Sequence, residues 1–134
     1  HGLINMGGDF AVIGPQPGDM PWPIGVADPK GDGSLMAKIE IMDGGLASSG
    51  DYERFFVHEG RRYSHILNPK TGWPTNNAPL AVSILAPNCL VAGSSATIAM
   101  LMHSSAARAW LSELGIPWLL VDSDFNTYGT LAGI

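Results

Sequence analysis

Glycine and proline interrupt this chain at short, irregular intervals, and that punctuation limits its possible folds more than any other feature. Seventeen Gly and ten Pro fall among 134 residues. Proline removes a backbone donor and glycine raises the entropy cost of regular structure. A non-repetitive chain divided in this way folds as short elements joined by many turns, not as a helical bundle. Apolar residues still make up 46% and charged residues only 14%, so a core can form and the composition is not that of a disordered chain. The length suits a single domain over 1–134.

Charge narrows the partners. Seven Lys and Arg stand against twelve Asp and Glu, a net charge of −5. No basic run is present to neutralise several phosphates, so nucleic acid is excluded as an expected partner. Cys89 is the one cysteine, which rules out an internal disulfide, and no Cys/His cluster has zinc-site spacing. No stretch reaches the ~18 apolar residues that a membrane span needs. The chain starts at His1 and runs at once into an apolar segment, so it is expected to be a fragment or a processed product.

The hydrophobic pattern then places the elements. Leu3 to Met6 and Phe10 to Ile13 read as strands around Gly7-Gly8-Asp9. Trp22 to Ala27 is a strand closed by the turn-rich run 28–33, and in Leu35 to Met42 apolar residues alternate with Lys38 and Glu40 as on a strand with one wet face. Arg54 to Val57 and Arg62 to Leu67 form a hairpin, followed by the polar loop 68–74 and a strand from Leu80 to Ala86. The small apolar run after Cys89 predicts a buried helix beginning near Ser94 or Ser95. Ala106 to Leu114 is a second helix or its kinked continuation, and two closing strands cover Trp118 to Val121 and Tyr128 to Leu131. The class is α+β: a mostly antiparallel sheet with helices packed on one face.

Several segments carry groups suited to chemistry. Gly7-Gly8-Asp9 lets backbone approach a ligand beside a carboxylate, or is simply a turn. Ser48 to Glu53 gathers hydroxyls and acids that suit a sugar or phosphate, or is a solvated loop leading to a strand. His65 follows a strand and faces a Pro/Gly loop, where imidazole serves as a general base or as a hydrogen-bonded structural residue. His58 falls at the hairpin tip and is expected to be solvated. Gly93 to Thr97 opens the apolar helix, a place for a pyrophosphate on free N–H groups, with the Thr97 hydroxyl able to ligate Mg2+; the plainer reading is a serine cap. Met100, Met102 and Trp110 read as core.

Taken in order, the motifs resemble the C-terminal part of the ApbE family, the FAD:protein FMN transferases. The resemblance rests on Asn5 to Asp9, Pro21-Trp22 with Gly25 to Pro29, Ser49 to Arg54, and above all Arg62-Tyr63-Ser64-His65-Ile66-Leu67-Asn68-Pro69-Lys70-Thr71-Gly72-Trp73-Pro74. It implies an ApbE-like, T-fold-related architecture and a Mg2+-dependent enzyme that splits FAD at its pyrophosphate. FMN passes to a Thr or Ser of an acceptor flavoprotein in an electron-transfer system, and AMP leaves. By position it implies His65 as the catalytic residue, Asp9, His65, Ile66, Ser94 and Ser95 as cofactor-binding residues, and Thr97 as a metal ligand.

Gly93 stands where the family has an Asp, so a charged Mg2+ ligand is missing. Ser94, Ser95, Asp9, Asp51 or a residue outside this chain are the open substitutes. The family's upstream half also has no counterpart before His1, which leaves room for a homodimer or for a missing N-terminal half. The resemblance further implies the periplasmic side of a bacterial inner membrane. The competing expectations are a flavin-binding or scaffold module without transfer activity, and a structural fragment that needs a partner chain.

Overall fold

The computed structural model describes residues 1–52 and 54–132. Among these the chain forms β1 (Gly2–Met6), β2 (Asp9–Ile13), β3 (Trp22–Ala27), β4 (Leu35–Ile41), β5 (Gly44–Gly50), β6 (Phe55–His58), β7 (Arg61–Ser64), β8 (Ala81–Ala86), α1 (Cys89–Met100), α2 (Ser104–Glu113), β9 (Trp118–Val121) and β10 (Thr127–Tyr128). A six-stranded sheet in the order β1-β2-β5-β8-β9-β10 is antiparallel at every pairing. The expected α+β class is what forms.

The sheet is the middle of three layers. On one face Ala47, Val82, Ile84, Trp118 and Leu120 pack against Ala92, Ala96, Ala99, Met100, Ala107 and Leu111 of the two helices. On the other, Val12, Leu46 and Leu119 pack against Ile24, Val26, Ala37, Ile39 and Ile41 of the β3–β4 ribbon. Strand alternation divides these sets, with Leu46 and Ala47, or Leu119 and Leu120, entering opposite cores. At the sheet centre the Ser48 and Ser83 hydroxyls pair at 2.7 Å, which satisfies polar groups that burial would otherwise penalise.

Two expectations are corrected. The segment 44–50, expected as a loop from Ser48 onward, is the central strand β5, paired with β2 and β8. It lacks β-branched residues because α1 lies directly on it: a Cβ on Gly45 would run into the backbone of Asn88 and Cys89. In addition, α1 begins at Cys89, not near Ser94. Asn88 is its N-cap and accepts from the Val91 N–H at 2.9 Å. The earlier start adds a turn that brings Ala92 into register with Ala96 and Ala99 on the buried face. The next helix is separate, with His103 at its N-cap.

The hairpin β6–β7 turns through Glu59 and Gly60, both at positive φ (49° and 74°), as a two-residue connection of the right twist requires. The loop after it is organised by Asn68, whose side chain accepts from the Lys70 N–H and whose carbonyl accepts from Thr71 and Gly72. Thr75 donates to the Leu101 carbonyl and tethers this loop to the end of α1.

Candidate active site

A cavity of about 600 Å3 opens where the β1–β2 turn, β2, β3, β5 and α1 meet the end of the hairpin. Gly7 and Gly8 form one wall, and Ser48, Ser49 and Gly50 of β5 form the floor with Thr97 of α1. His65, Ile66 and Arg54 close the side nearest the hairpin. Of the residues singled out in the sequence, His65, Ile66 and Thr97 therefore share one cavity. Asp9 sits between Gly8 and Phe10, which both line it. Ser94 is exposed, Ser95 is half-buried, and neither borders the cavity. Because α1 starts at Cys89, the amides of Gly93 to Ser95 lie inside the helix and are not the free N–H groups expected there. His58 is exposed at the tip, as expected. Glu53 lies outside the described residues.

His65 is held from two atoms. Its main-chain N–H donates to the Arg54 carbonyl at 3.3 Å, and its Nδ1 meets the same oxygen at 2.9 Å. A carbonyl only accepts, so Nδ1 carries the proton and the neutral ring keeps its lone pair on Nε2. That tautomer is ready to take a proton.

Across the cavity the Thr97 and Ser49 hydroxyls lie 3.2 Å apart. Gly93 is one turn before Thr97 and so shares its helix face. A Cβ built on Gly93 would stand 4.0 Å from Asp9 Oδ2 and 3.7 Å from the Ala47 Cβ. The Asp9 carboxylate thus lies at the position where a side chain from residue 93 would project. Its charge also reaches Cys89: burial pushes that thiol upward, and Asp9 adds to the effect.

Residues 1–120 match the ApbE family. The chain belongs to that family. An FAD:protein FMN transferase from Vibrio cholerae is 34% identical over 96% of this chain and 40% of its own length. One from Treponema pallidum is 33% identical over 91% of this chain and 36% of its own. Among solved structures, the ApbE protein from Thermotoga maritima superposes with a TM-score of 0.84 at 35% identity, covering 96% of this chain and 42% of that one. The Pseudomonas stutzeri flavinyl transferase ApbE in its apo form gives 0.80 at 30% identity, covering 98% of this chain and 43% of that one. The chain therefore spans about 40% of the length of the Vibrio relative.

For an ApbE-family chain the cation question turns on donor chemistry. Among the described residues no group of three or more His, Cys, Asp or Glu is placed to hold a metal. What α1 and its neighbours offer is one carboxylate, Asp9, and two hydroxyls, Thr97 and Ser49. Those suit Mg2+, which keeps several waters and takes one or two carboxylates together with substrate phosphates. Asp51, another open substitute, is committed elsewhere: Arg62 Nη2 donates to its Oδ1 at 3.0 Å and to its main-chain oxygen at 2.9 Å. Burial raises the Asp51 carboxyl above its ordinary range, opposed chiefly by the charge of Arg62.

The sequence reading missed two contributors. One is the Arg54 carbonyl, which carries no side-chain signature. The other is the β3 stretch Gly25 to Ala27, named in the sequence as part of a family motif but given no role in the site, which lines the cavity with backbone and small side chains. A glycine between Ile24 and Val26 was its signal, since glycine within a strand marks close approach.

Proposed function

We propose that this ApbE-family chain carries the hydroxyl-activating side of a site that transfers FMN from FAD to a Thr or Ser of an acceptor protein. The supporting observation is His65: its Nδ1–H is tied to the Arg54 carbonyl, and it lines the cavity that also holds Thr97. In this reading the acceptor hydroxyl gives its proton to His65 Nε2 while its oxygen attacks the FMN phosphorus. The bond from that phosphorus to the bridging oxygen breaks, and AMP leaves with the bridging oxygen. Gly7 and Gly8 let the backbone approach the ligand, and Ile66 gives an apolar contact. Mg2+, held through Asp9 and Thr97, would neutralise diphosphate charge.

Gly93 favours a second reading, a flavin-binding chain without transfer, because the helix supplies no carboxylate of its own there. Incubation with FAD, Mg2+ and an acceptor peptide separates the two. Transfer adds the mass of an FMN phosphoester to the peptide and releases AMP in equal amount. Flavin binding with an unmodified peptide supports the second reading.

A further inference from the structure

A second cavity, of about 1070 Å3, lies between the hairpin and the loop 68–77. Phe56 stacks on Tyr63, with ring centroids 5.0 Å apart and planes at 9°, and Tyr63 meets Trp73 at 6.2 Å. Arg61 covers the Tyr63 ring at 5.3 Å and donates to Asn76 Oδ1 at 3.0 Å. Phe56 and Trp73 are nevertheless 61% and 65% exposed. Aromatic side chains ordered among themselves and left in water mark a binding surface more often than a defect.

Backbone and charge say what binds there. Among the described residues β6 and β7 pair only with each other, so neither outer edge of the hairpin is hydrogen-bonded to another strand. Four of the seven Lys and Arg (Arg54, Arg61, Arg62 and Lys70) fall within residues 54–70, where Glu59 is the one acid, in a chain of net charge −5. Arg62 is paired with Asp51, whereas Arg61 has an amide and a ring for partners and no carboxylate among the described residues. The residue after β7 is His65, so a segment extended along β7 passes beside the imidazole.

We propose that the groove of Arg61, Tyr63, Trp73 and Asn76 docks an extended, acidic segment of the acceptor polypeptide and delivers its hydroxyl to His65. The delivery rests on the transfer reading above; the docking does not. The groove selects by an aspartate or glutamate on Arg61 and an apolar side chain on Trp73.

The test uses two fluorescein-labelled peptides of alternating Val and Thr, one with aspartates and one with lysines at the same interspersed positions. Anisotropy is followed without FAD. The aspartate peptide is expected to bind at least about tenfold more tightly, and less tightly as salt rises. Arg61→Glu is expected to weaken it about tenfold, and Arg61→Gln, which keeps a donor for Asn76, about threefold. Equal binding of the two peptides, or an unchanged affinity in Arg61→Glu, overturns the proposal. So does a loss of FAD affinity in place of peptide affinity, which would assign the groove to the nucleotide. Absence of peptide binding also overturns it, and if Phe56→Lys then turns a dimer into a monomer in sedimentation, the patch joins two copies. FMN on the peptide is scored separately: charge-selective binding without transfer upholds the groove and counts against the transferase reading.

Discussion

The Arg54 carbonyl oxygen receives both the main-chain N–H and the Nδ1–H of His65, at 3.3 and 2.9 Å. One backbone atom thus sets the tautomer and limits rotation of the ring, which no residue pattern announces. His65→Ala is expected to lower FMN transfer by a factor of about 10²–10⁴, the usual range for losing a positioned base. Because the side chain is exposed and makes one hydrogen bond, unfolding free energy should change by no more than about 0.5 kcal/mol. Transfer and urea unfolding measured on one preparation check this, and undiminished transfer would remove His65 from the chemistry.

Gly93→Asp tests the cation site. Its new Cβ would meet Ala47 and Asp9 only at ordinary contact distances, 3.7 and 4.0 Å, so a Cβ is admitted there without displacing the backbone. Without metal the two carboxylates repel, and the melting temperature should fall slightly despite the better helix propensity. With Mg2+ the pair gains a second charged ligand, and affinity for Mg2+ alone should tighten about tenfold. Calorimetric titration with MgCl2 measures it. An unchanged affinity would mean that residue 93 does not face the ion.

How much of this was legible in the sequence depended on whether a signal was local. The β6–β7 hairpin was readable because Glu59-Gly60 supplies the positive φ angles of a tight turn after the apolar run Phe55 to Val57. Strand β4 was readable from the alternation of Ile39 and Ile41 with Lys38 and Glu40. Strand β5 was not, because its Gly and Ala residues answer to a helix packed on them and not to strand propensity. The start of α1 was misplaced because Ser94 is as good a cap in isolation as Asn88; burial of Ala92 decided between them. That His65 and Thr97 share a cavity followed from the family resemblance and from no spacing in the chain.

Gly45→Ala probes that packing directly. The added methyl would collide with the backbone of Asn88 and Cys89, which cannot move as a flexible side chain can. Shifting α1 off β5 would also open the core around Ala47, Ala92 and Ala96. A loss of about 3 kcal/mol or more is expected, at the upper end of overpacking penalties. Urea denaturation followed by circular dichroism measures it. A loss below about 0.5 kcal/mol would show that helix and strand are farther apart than described.

Arg62 and Asp51 give a pH-dependent test. The folded Asp51 pKa is raised by burial, with Arg62 opposing it. A raised folded value means that the group contributes most below its unfolded pKa of 3.8 and loses that contribution as pH rises through the folded value. Arg62→Gln removes the opposing charge, moves the folded value further up, and extends the loss toward neutral pH. The variant should be less stable than wild type by about 1–2 kcal/mol at pH 7, a figure reduced because the pair is partly exposed. The gap should shrink as pH falls below the folded value, leaving the lost hydrogen bond to the Asp51 main-chain oxygen, which does not titrate. Asp51→Asn in the same background should flatten the profile. Urea unfolding of the three proteins across this range decides the matter: a loss equal at every pH would mean that Arg62 acts through that hydrogen bond alone.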